Sequence, residues 1–521
     1  MEAKQPHGPV FAEVVSHWIV RVFRSNRLPF LASLVWGLLA YTFAFTNKLI
    51  NHDEVGQLFG KGATVSSGRW GLGFLDTIFP NVSMPWIYGL ITVVCIAAAI
   101  CLIIHLFSIR SRMVQVLLAG SVMVFPSLIG VFGYMFTSSS YGLSFLLAVL
   151  AVWLVCRPCR WAVLPALGCL VASVSIYQSY ISIAASLLVL VLIRLLLTGS
   201  DPVTVLKKSI GYVLFLVISL AGYYLATQLI LTLKDVSFND YAADSISLSF
   251  SHLADGIRLA YLNFLRFFYW AHHRLMPTPL SRKLHIVLFC AMGILLLLWA
   301  RKQKAPCAGR FLLLLVLIAV LPLAINCMYL ITSEGAIHTL VLYGFVAVYI
   351  LAAVLADLWL RDQAAGKISE LLRRLSLDCV ALCLAVIVCI NVYTANTAYL
   401  AMHLRYENAY SFYTSLTSQI RQMPEFREGT RLAVIGSWQS PAFYEENMEF
   451  TEYLIGVKGF VPTDYSAQAF LEYYIGFPAE FAGQEEIAAI RQSEEFRNMC
   501  VYPYYGSVAA IQDVIVVKLS E

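Results

Sequence analysis

WAVLPALGCLVASVSIYQSYISIAASLLVLVLIRLLLT, residues 161–198, is apolar almost from end to end, and the number of times it crosses a bilayer decides where everything after it lies. Its length fits one long tilted helix or two short ones joined at Tyr177-Gln178-Ser179-Tyr180, because a span takes roughly 17 to 25 apolar residues. Charge separates the two readings. Arg157 and Arg160 precede the run, and Arg194, Lys207 and Lys208 belong to its far end and the segment after it. Both ends therefore read as cytoplasmic under the positive-inside rule, and the run crosses twice.

The same rule carried outward predicts spans near Leu28–Phe45, Trp86–Phe107, Met113–Phe132, Tyr141–Val155, Ala162–Tyr177, Ile181–Leu197, Ile210–Leu231, Leu284–Ala300, Phe311–Ile331, Ile337–Leu358 and Cys379–Tyr393, eleven in all. Arg110 and Arg112, the group Arg301, Lys302, Lys304 and Arg310, and the group Arg361, Lys367, Arg373 and Arg374 then fall on the inside with the amino terminus, while the turns Gly133–Ser140 and Thr332–Ala336 carry no Lys or Arg. Three large pieces face outward: the loops 47–85 and 232–283, and the tail. The tail reads as a small α/β domain, with strand-like Arg431–Gly436, helical Gln484–Glu495 and a closing strand Asp513–Lys518 separated by Pro and Gly turns. The predicted fold class is thus mainly α, a polytopic membrane protein of about eleven transmembrane helices with a small extracytoplasmic α/β domain at the carboxyl end. Its parts are a cytoplasmic amphipathic segment 1–27, a transmembrane domain 28–396 and the extracytoplasmic domain 397–521.

Composition sets the same bounds. Of 521 residues, 60% are hydrophobic and 13% charged, and the mean hydropathy is +0.74, too apolar for a chain that lives in water. The net charge of +5 is scattered between apolar runs, so no basic stripe for nucleic acid exists. Eleven of the twelve cysteines lie in or beside apolar runs, which implies no disulfide framework. Cys156-Arg-Pro-Cys159 has the spacing of half a zinc site, but no second half follows, and no metal site is assigned.

Chemistry done by soluble groups would then sit outside. The first outer loop opens with Asn51-His52-Asp53-Glu54, a carboxylate pair directly after a span, and continues with Gly68-Arg69-Trp70-Gly71. From Ser66 to Phe79, Trp70, Phe74, Ile78 and Phe79 recur at helical spacing, which predicts a short interfacial helix with its apolar side toward lipid. Such a helix would hold Asp53 and Glu54 near headgroup height. Arg69 is either a snorkelling interface residue or a phosphate or sugar contact. The second outer loop mixes His272, His273, Arg274 and neighbouring cations with aromatics, suiting an interface helix or a site for a lipid phosphate and a sugar ring. Adjacent histidines on a helix point about 100° apart, so His272 and His273 do not chelate as a pair. Tyr177 and Gln178 at a span junction, and Glu334 with His338 in a later outer turn, are polar groups at membrane depth and hence functional candidates.

Asp53-Glu54 after the first span, Gly68-Arg69-Trp70 on an interface helix, Ser175–Tyr180 at an outer membrane end and a tail closing Tyr502-Pro503 and Asp513–Leu519 together resemble the multi-spanning GT-C glycosyltransferases that use polyprenyl-phosphate sugars, and among them the GtrII-like glucosyltransferases of O-antigen modification. The resemblance implies an inverting transferase in a bacterial cytoplasmic membrane, acting on its extracytoplasmic face. A hexose, glucose by family, would pass from a polyprenyl-phosphate donor to a cell-surface polysaccharide or its lipid-linked precursor. It further implies a general base among Asp53 and Glu54, and substrate contacts among Arg69, Trp70, Tyr177, Gln178, His272, His273, Arg274, Glu334 and His338. No cofactor is expected, since a lipid monophosphate leaves without a diphosphate clamp, although some relatives of this class use a divalent metal. The partners implied are the lipid-linked sugar, the glycan acceptor and membrane lipids. Family members more often have a second aspartate at the place of Glu54, so the division of labour between the two acids stays open. The competing readings are a lipid-linked oligosaccharide flippase or transporter, and an O-antigen polymerase or ligase. A transporter should line several spans with ionisable groups, whereas here the charges gather in outer loops.

Overall fold

Nine helices among the described residues are long and apolar enough to cross a membrane. The computed structural model describes residues 11–60, 64–78, 82–238, 250–269, 279–302, 308–330, 338–364, 366–427, 429–436, 454, 456–457 and 466–520. In chain order the helices are α1 Phe11–Thr46, α2 His52–Gly56, α3 Trp70–Asp76, α4 Pro85–Leu106, α5 Arg112–Met123, α6 Pro126–Gly133, α7 Met135–Val155, α8 Val163–Ile176, α9 Ile181–Leu197, α10 Pro202–Lys234, α11 Phe250–Phe268, α12 Pro279–Lys302, α13 Ala308–Ile325, α14 Val346–Leu360 and α15 Lys367–Arg421. A 3₁₀ stretch, Thr339–Phe345, leads into α14. The carboxyl-terminal unit adds β1 Arg431–Ile435, α16 Ala467–Phe470, β2 Glu480–Phe481, α17 Gln484–Gln492, α18 Glu494–Asn498, β3 Val508–Ile511 and β4 Val514–Lys518.

The described residues of each stretch expected to span are largely helical. Besides the nine, α5 and α6 pass the same test together as a pair bent by 41°, and the apolar helix at Arg160–Ile176 is shorter than the rest. The run at 161–198 is two helices, α8 and α9, joined by a 3₁₀ turn at Gln178–Tyr180. Three boundaries differ from the sequence reading. Gly133–Ser140 is no open turn: α6 ends at Gly133, α7 begins at Met135, and Met135 to Ser140 are buried helix. Residues 11–27 run straight into the first span as one helix, α1. The tail does not start at 397 either, because α15 continues unbroken to Arg421, about 80 Å at 1.5 Å per residue.

Pro126 explains the break in the third span. It has no N–H to give Val122, and it sits at the first position of α6, where none is needed. In lipid a freed carbonyl must find another donor. Tyr343 hydroxyl donates to Val122 O (3.0 Å) and Tyr41 hydroxyl to Met123 O (2.8 Å), while Tyr399 hydroxyl from α15 reaches Ile129 O (2.9 Å). All three rings are buried, so α1, the stretch before α14, and α15 hold the broken span in place.

One end of the bundle is basic. There Asp357 Oδ1 accepts from the backbone N–H of Arg110 (2.9 Å) and Ser111 (2.7 Å), Arg361 pairs with Asp357 and donates to Ser108 O (3.0 Å), and Arg310 donates to Gly199 O (3.1 Å). At the opposite end α15 carries the sheet, whose order is β2-β1-β4-β3, with β1 parallel to β2 and β4 and β3 antiparallel to β4. The register pairs Arg431 with Val514 and Ile435 with Lys518. Alternation along β4 divides its side chains: Ile515 and Val517 pack with Phe412, Tyr413, Leu416 and Ile420 of α15, while Val514 and Val516 pack with Ile490, Phe496 and Met499. Lys518 is buried and donates to the carbonyl of Met499 (3.0 Å), just past the end of α18.

Candidate active site

Two helices end against each other at Tyr134, and the loop after α1 is fastened to what they leave free. A helix terminus has carbonyls or N–H groups without intrahelical partners. The last carbonyl of α6, Gly133 O, accepts from Asn51 Nδ2 at 2.7 Å, and the Phe136 N–H in the first turn of α7 donates to Glu54 Oε2 at 3.0 Å. Asn51 also caps α2, its Oδ1 accepting from the N–H of Asp53 (3.0 Å) and of Glu54 (2.8 Å). The second proton of its amide goes to Gly456 O at 3.1 Å.

This frame separates the two acids. Glu54 is fully buried, paired with Lys48, and it accepts from Ser83 Oγ as well as from Phe136 N–H. Its oxygens are committed to the fold. The Asp53 side chain is 41% exposed and has His52 Nε2 at 3.7 Å from Oδ2. Burial first, then the Asp53 carboxylate and Tyr141, push the Tyr134 phenol up. Asp53 therefore keeps its carboxylate partly open to solvent, near enough to Tyr134 for its charge to be felt there.

Arg69 lies on the far side of the tyrosines. Its Nη1 donates to Tyr141 hydroxyl (3.3 Å) and its guanidinium sits 5.5 Å from the centre of the Tyr177 ring, which stacks on Tyr141 at 4.3 Å. Burial, and after it the Arg69 guanidinium, hold the His338 imidazole below its ordinary pKa, so this side chain is neutral at neutral pH beside the arginine. Gln178 Nε2 donates to Ser67 O (2.9 Å), and Tyr223 hydroxyl donates to Gly68 O (3.0 Å). Gly68 has φ +73°, and a Cβ there would lie 2.7 Å from the Tyr223 hydroxyl, so the turn before Arg69 needs glycine on both counts. Trp70 Nε1 donates to Thr227 Oγ1 on α10 (3.1 Å). Gly71, Leu72 and Leu75 are buried, Gly71 against Ser175 of α8, while Phe74 and Ile78 stay exposed, as an interfacial helix requires.

Of the residues expected from the sequence, Asp53, Glu54, Arg69, Trp70, Tyr177, Gln178 and His338 gather at this one end of the bundle. His272, His273, Arg274 and Glu334 lie outside the described residues. Before them in the chain, α11 is amphipathic: Asn263, Phe267 and Phe268 are buried, while Leu253, Ile257, Tyr261 and Leu265 form an exposed stripe. Among the described residues no three His, Cys, Asp or Glu side chains are grouped as a metal ion would need. Sequence reasoning missed Lys48, Ser83, Tyr134, Tyr141 and Asn51. Only Asn51 carried a readable signal, an Asn directly before a helix that starts with two acids.

The carboxyl-terminal unit reaches the same place. Leu454 and Val457 are buried in the core of the bundle, while Ile50 and Val55 of the first loop are buried in the core that α15 shares with the sheet. Phe59 meets Tyr473 edge-on at 5.4 Å, and after burial the Glu54 charge raises the Tyr474 phenol.

Compared with known protein families, the chain matches the model described as glucosyl transferase GtrII over residues 42–351. The match runs from the end of α1 into α14 and so includes α2, α3 and every described residue of the site except those from the tail. Comparisons with curated proteins and with solved structures return no match.

Proposed function

The chain belongs to the glucosyl transferase GtrII family, and from that premise we propose that it transfers glucose, with inversion, from a polyprenyl-phosphate donor to a glycan acceptor, using Asp53 as general base. One observation carries the assignment of the base: of two adjacent acids on α2, Glu54 is buried and fully engaged, while Asp53 is held by its backbone and exposed at its carboxylate. A base must be within reach of the proton it takes, and a carboxylate open to solvent meets that condition where a buried one does not.

In this mechanism an acceptor hydroxyl gives its proton to an oxygen of Asp53 as the hydroxyl oxygen bonds to the anomeric carbon. The bond from that carbon to the phosphate oxygen breaks, and the lipid phosphate leaves with the electron pair. Charge grows on the phosphate, and Arg69 would meet it, with Tyr141 and His338 beside the guanidinium. Trp70, Gln178 and Tyr177 position the arginine and its turn. His272, His273, Arg274 and Glu334, outside the described residues, remain proposed substrate contacts. No step calls for a metal, and transfer should persist in EDTA.

The reading places α2, α3 and the carboxyl-terminal unit on the extracytoplasmic face of a bacterial inner membrane, with the amino terminus inside. Its support is the concentration of Arg and Lys at the other end of the bundle. Family membership favours transfer over the flippase and the polymerase or ligase readings.

The test is transfer of labelled glucose from polyprenyl phosphate by the purified protein in liposomes. Asp53→Asn should lower turnover by roughly 10²- to 10⁴-fold with normal folding, the usual worth of general-base help. Undiminished turnover in that variant would falsify the base assignment.

A further inference from the structure

Asn51 uses every hydrogen-bonding position its amide has. It is 1% exposed, it accepts twice from the α2 backbone, and it donates once to Gly133 O and once to Gly456 O. Three parts of the chain that are remote in sequence therefore meet in one side chain: the helix that carries Asp53, the broken third span, and the carboxyl-terminal unit. We propose that Asn51 is a positioning residue through which the carboxyl-terminal unit sets the geometry of Asp53. The proposal rests on Asp53 being the base.

Chemistry makes the residue hard to replace. Only a side-chain amide of this length offers two acceptor sites to one side and two donors to the other. An aspartate would keep the cap on α2 but turn a carboxylate oxygen toward two carbonyls. The two acceptors are themselves fixed. A Cβ on Gly133 would lie 2.9 Å from the carbonyl of Gly456, and Gly456 has φ +83° with its Cα turned against the ring of Tyr134. Leu454 and Val457 on either side are buried in the bundle, so Gly456 O has little room to drift.

Gly456 thereby reaches Asp53 by two routes. One is the hydrogen bond to Asn51 and on to the first amides of α2. The other is contact with Tyr134, the phenol that feels the Asp53 charge. Displacing Gly456 would pull on Asn51 and, through it, on the first amides of α2, and so shift the Asp53 carboxylate. A misplacement of about 1 Å in such a site can cost on the order of 100-fold in rate.

The experiment uses the full chain in liposomes and compares wild type, Asn51→Asp, Asn51→Ala and Asp53→Asn. Asn51→Asp should lower kcat per folded molecule by about 10- to 100-fold, with the donor KM unchanged. In the same variant the backbone amides of 454–457 should lose protection from hydrogen exchange while α2 keeps its own. A wild-type kcat, a fall fully explained by less folded protein, or unchanged protection at 454–457 each overturns the proposal. Failure of the base assignment is read separately, from a fully active Asp53→Asn.

Discussion

At the scale of the residue, two neighbouring carboxylates do different work because one helical step of about 100° sends them to different surroundings. Glu54 closes a buried knot with Lys48, Ser83 and the Phe136 N–H, whereas Asp53 faces outward. Glu54→Gln should therefore behave as a folding variant. Losing a charged hydrogen-bond acceptor costs about 2 kcal/mol, which would appear as a lower melting temperature in detergent, with turnover per folded molecule far closer to wild type than in Asp53→Asn. At the basic end the contrast recurs. The Arg110 side chain is exposed and its backbone N–H is what Asp357 holds, so Arg110→Ala should leave transfer intact while Asp357→Ala lowers stability. The acid couplet was legible in the sequence, but the roles were not, since burial depends on residues 29 and 82 positions away.

At the scale of the element, the third span is broken where proline and lipid together demand it, and three tyrosines close the gap. Hydrogen bonds between membrane helices contribute about 0.6 kcal/mol on average, and up to about 1.7. Tyr343→Phe and Tyr41→Phe should each lower stability by about that much, and the double variant by more than their sum if both hydroxyls hold the one break; thermal unfolding in detergent reads this. The separate junction of α6 and α7 at Tyr134 presents Gly133 O and Phe136 N–H to the first loop. Gly133→Ala should reduce turnover well beyond its effect on melting, because the added methyl presses on the Gly456 backbone at the seam. Pro126 was visible inside an apolar run, yet the partners that make the kink tolerable come from α1, the stretch before α14, and α15.

At the scale of the whole molecule, the bundle and the carboxyl-terminal unit trade residues across their boundary. Leu454 and Val457 enter the core of the bundle, and Ile50 and Val55 enter the core beneath the sheet. The unbroken α15 joins them as one rod. The proposed orientation has a direct check in the protein's own thiols: Cys159 near the basic end and Cys500 in the carboxyl-terminal unit are both exposed. A membrane-impermeant maleimide added to intact cells should label Cys500 and spare Cys159 until the membrane is opened. The reverse pattern would put Asp53 in the cytosol and end the proposed chemistry.

Hydrophobic run length, the placement of arginine and lysine, and strand alternation in the tail were enough to determine a helical membrane protein with a small α/β unit, because these are local signals read against a fixed bilayer thickness. The strands at Arg431–Ile435 and Val514–Lys518 were read within a residue or two. How the residues of the site are held together was decided by tertiary structure. Asn51 finds its acceptors 82 and 405 residues away, and nothing in the order of residues records a hydrogen bond between groups that meet only when helices end at the same height.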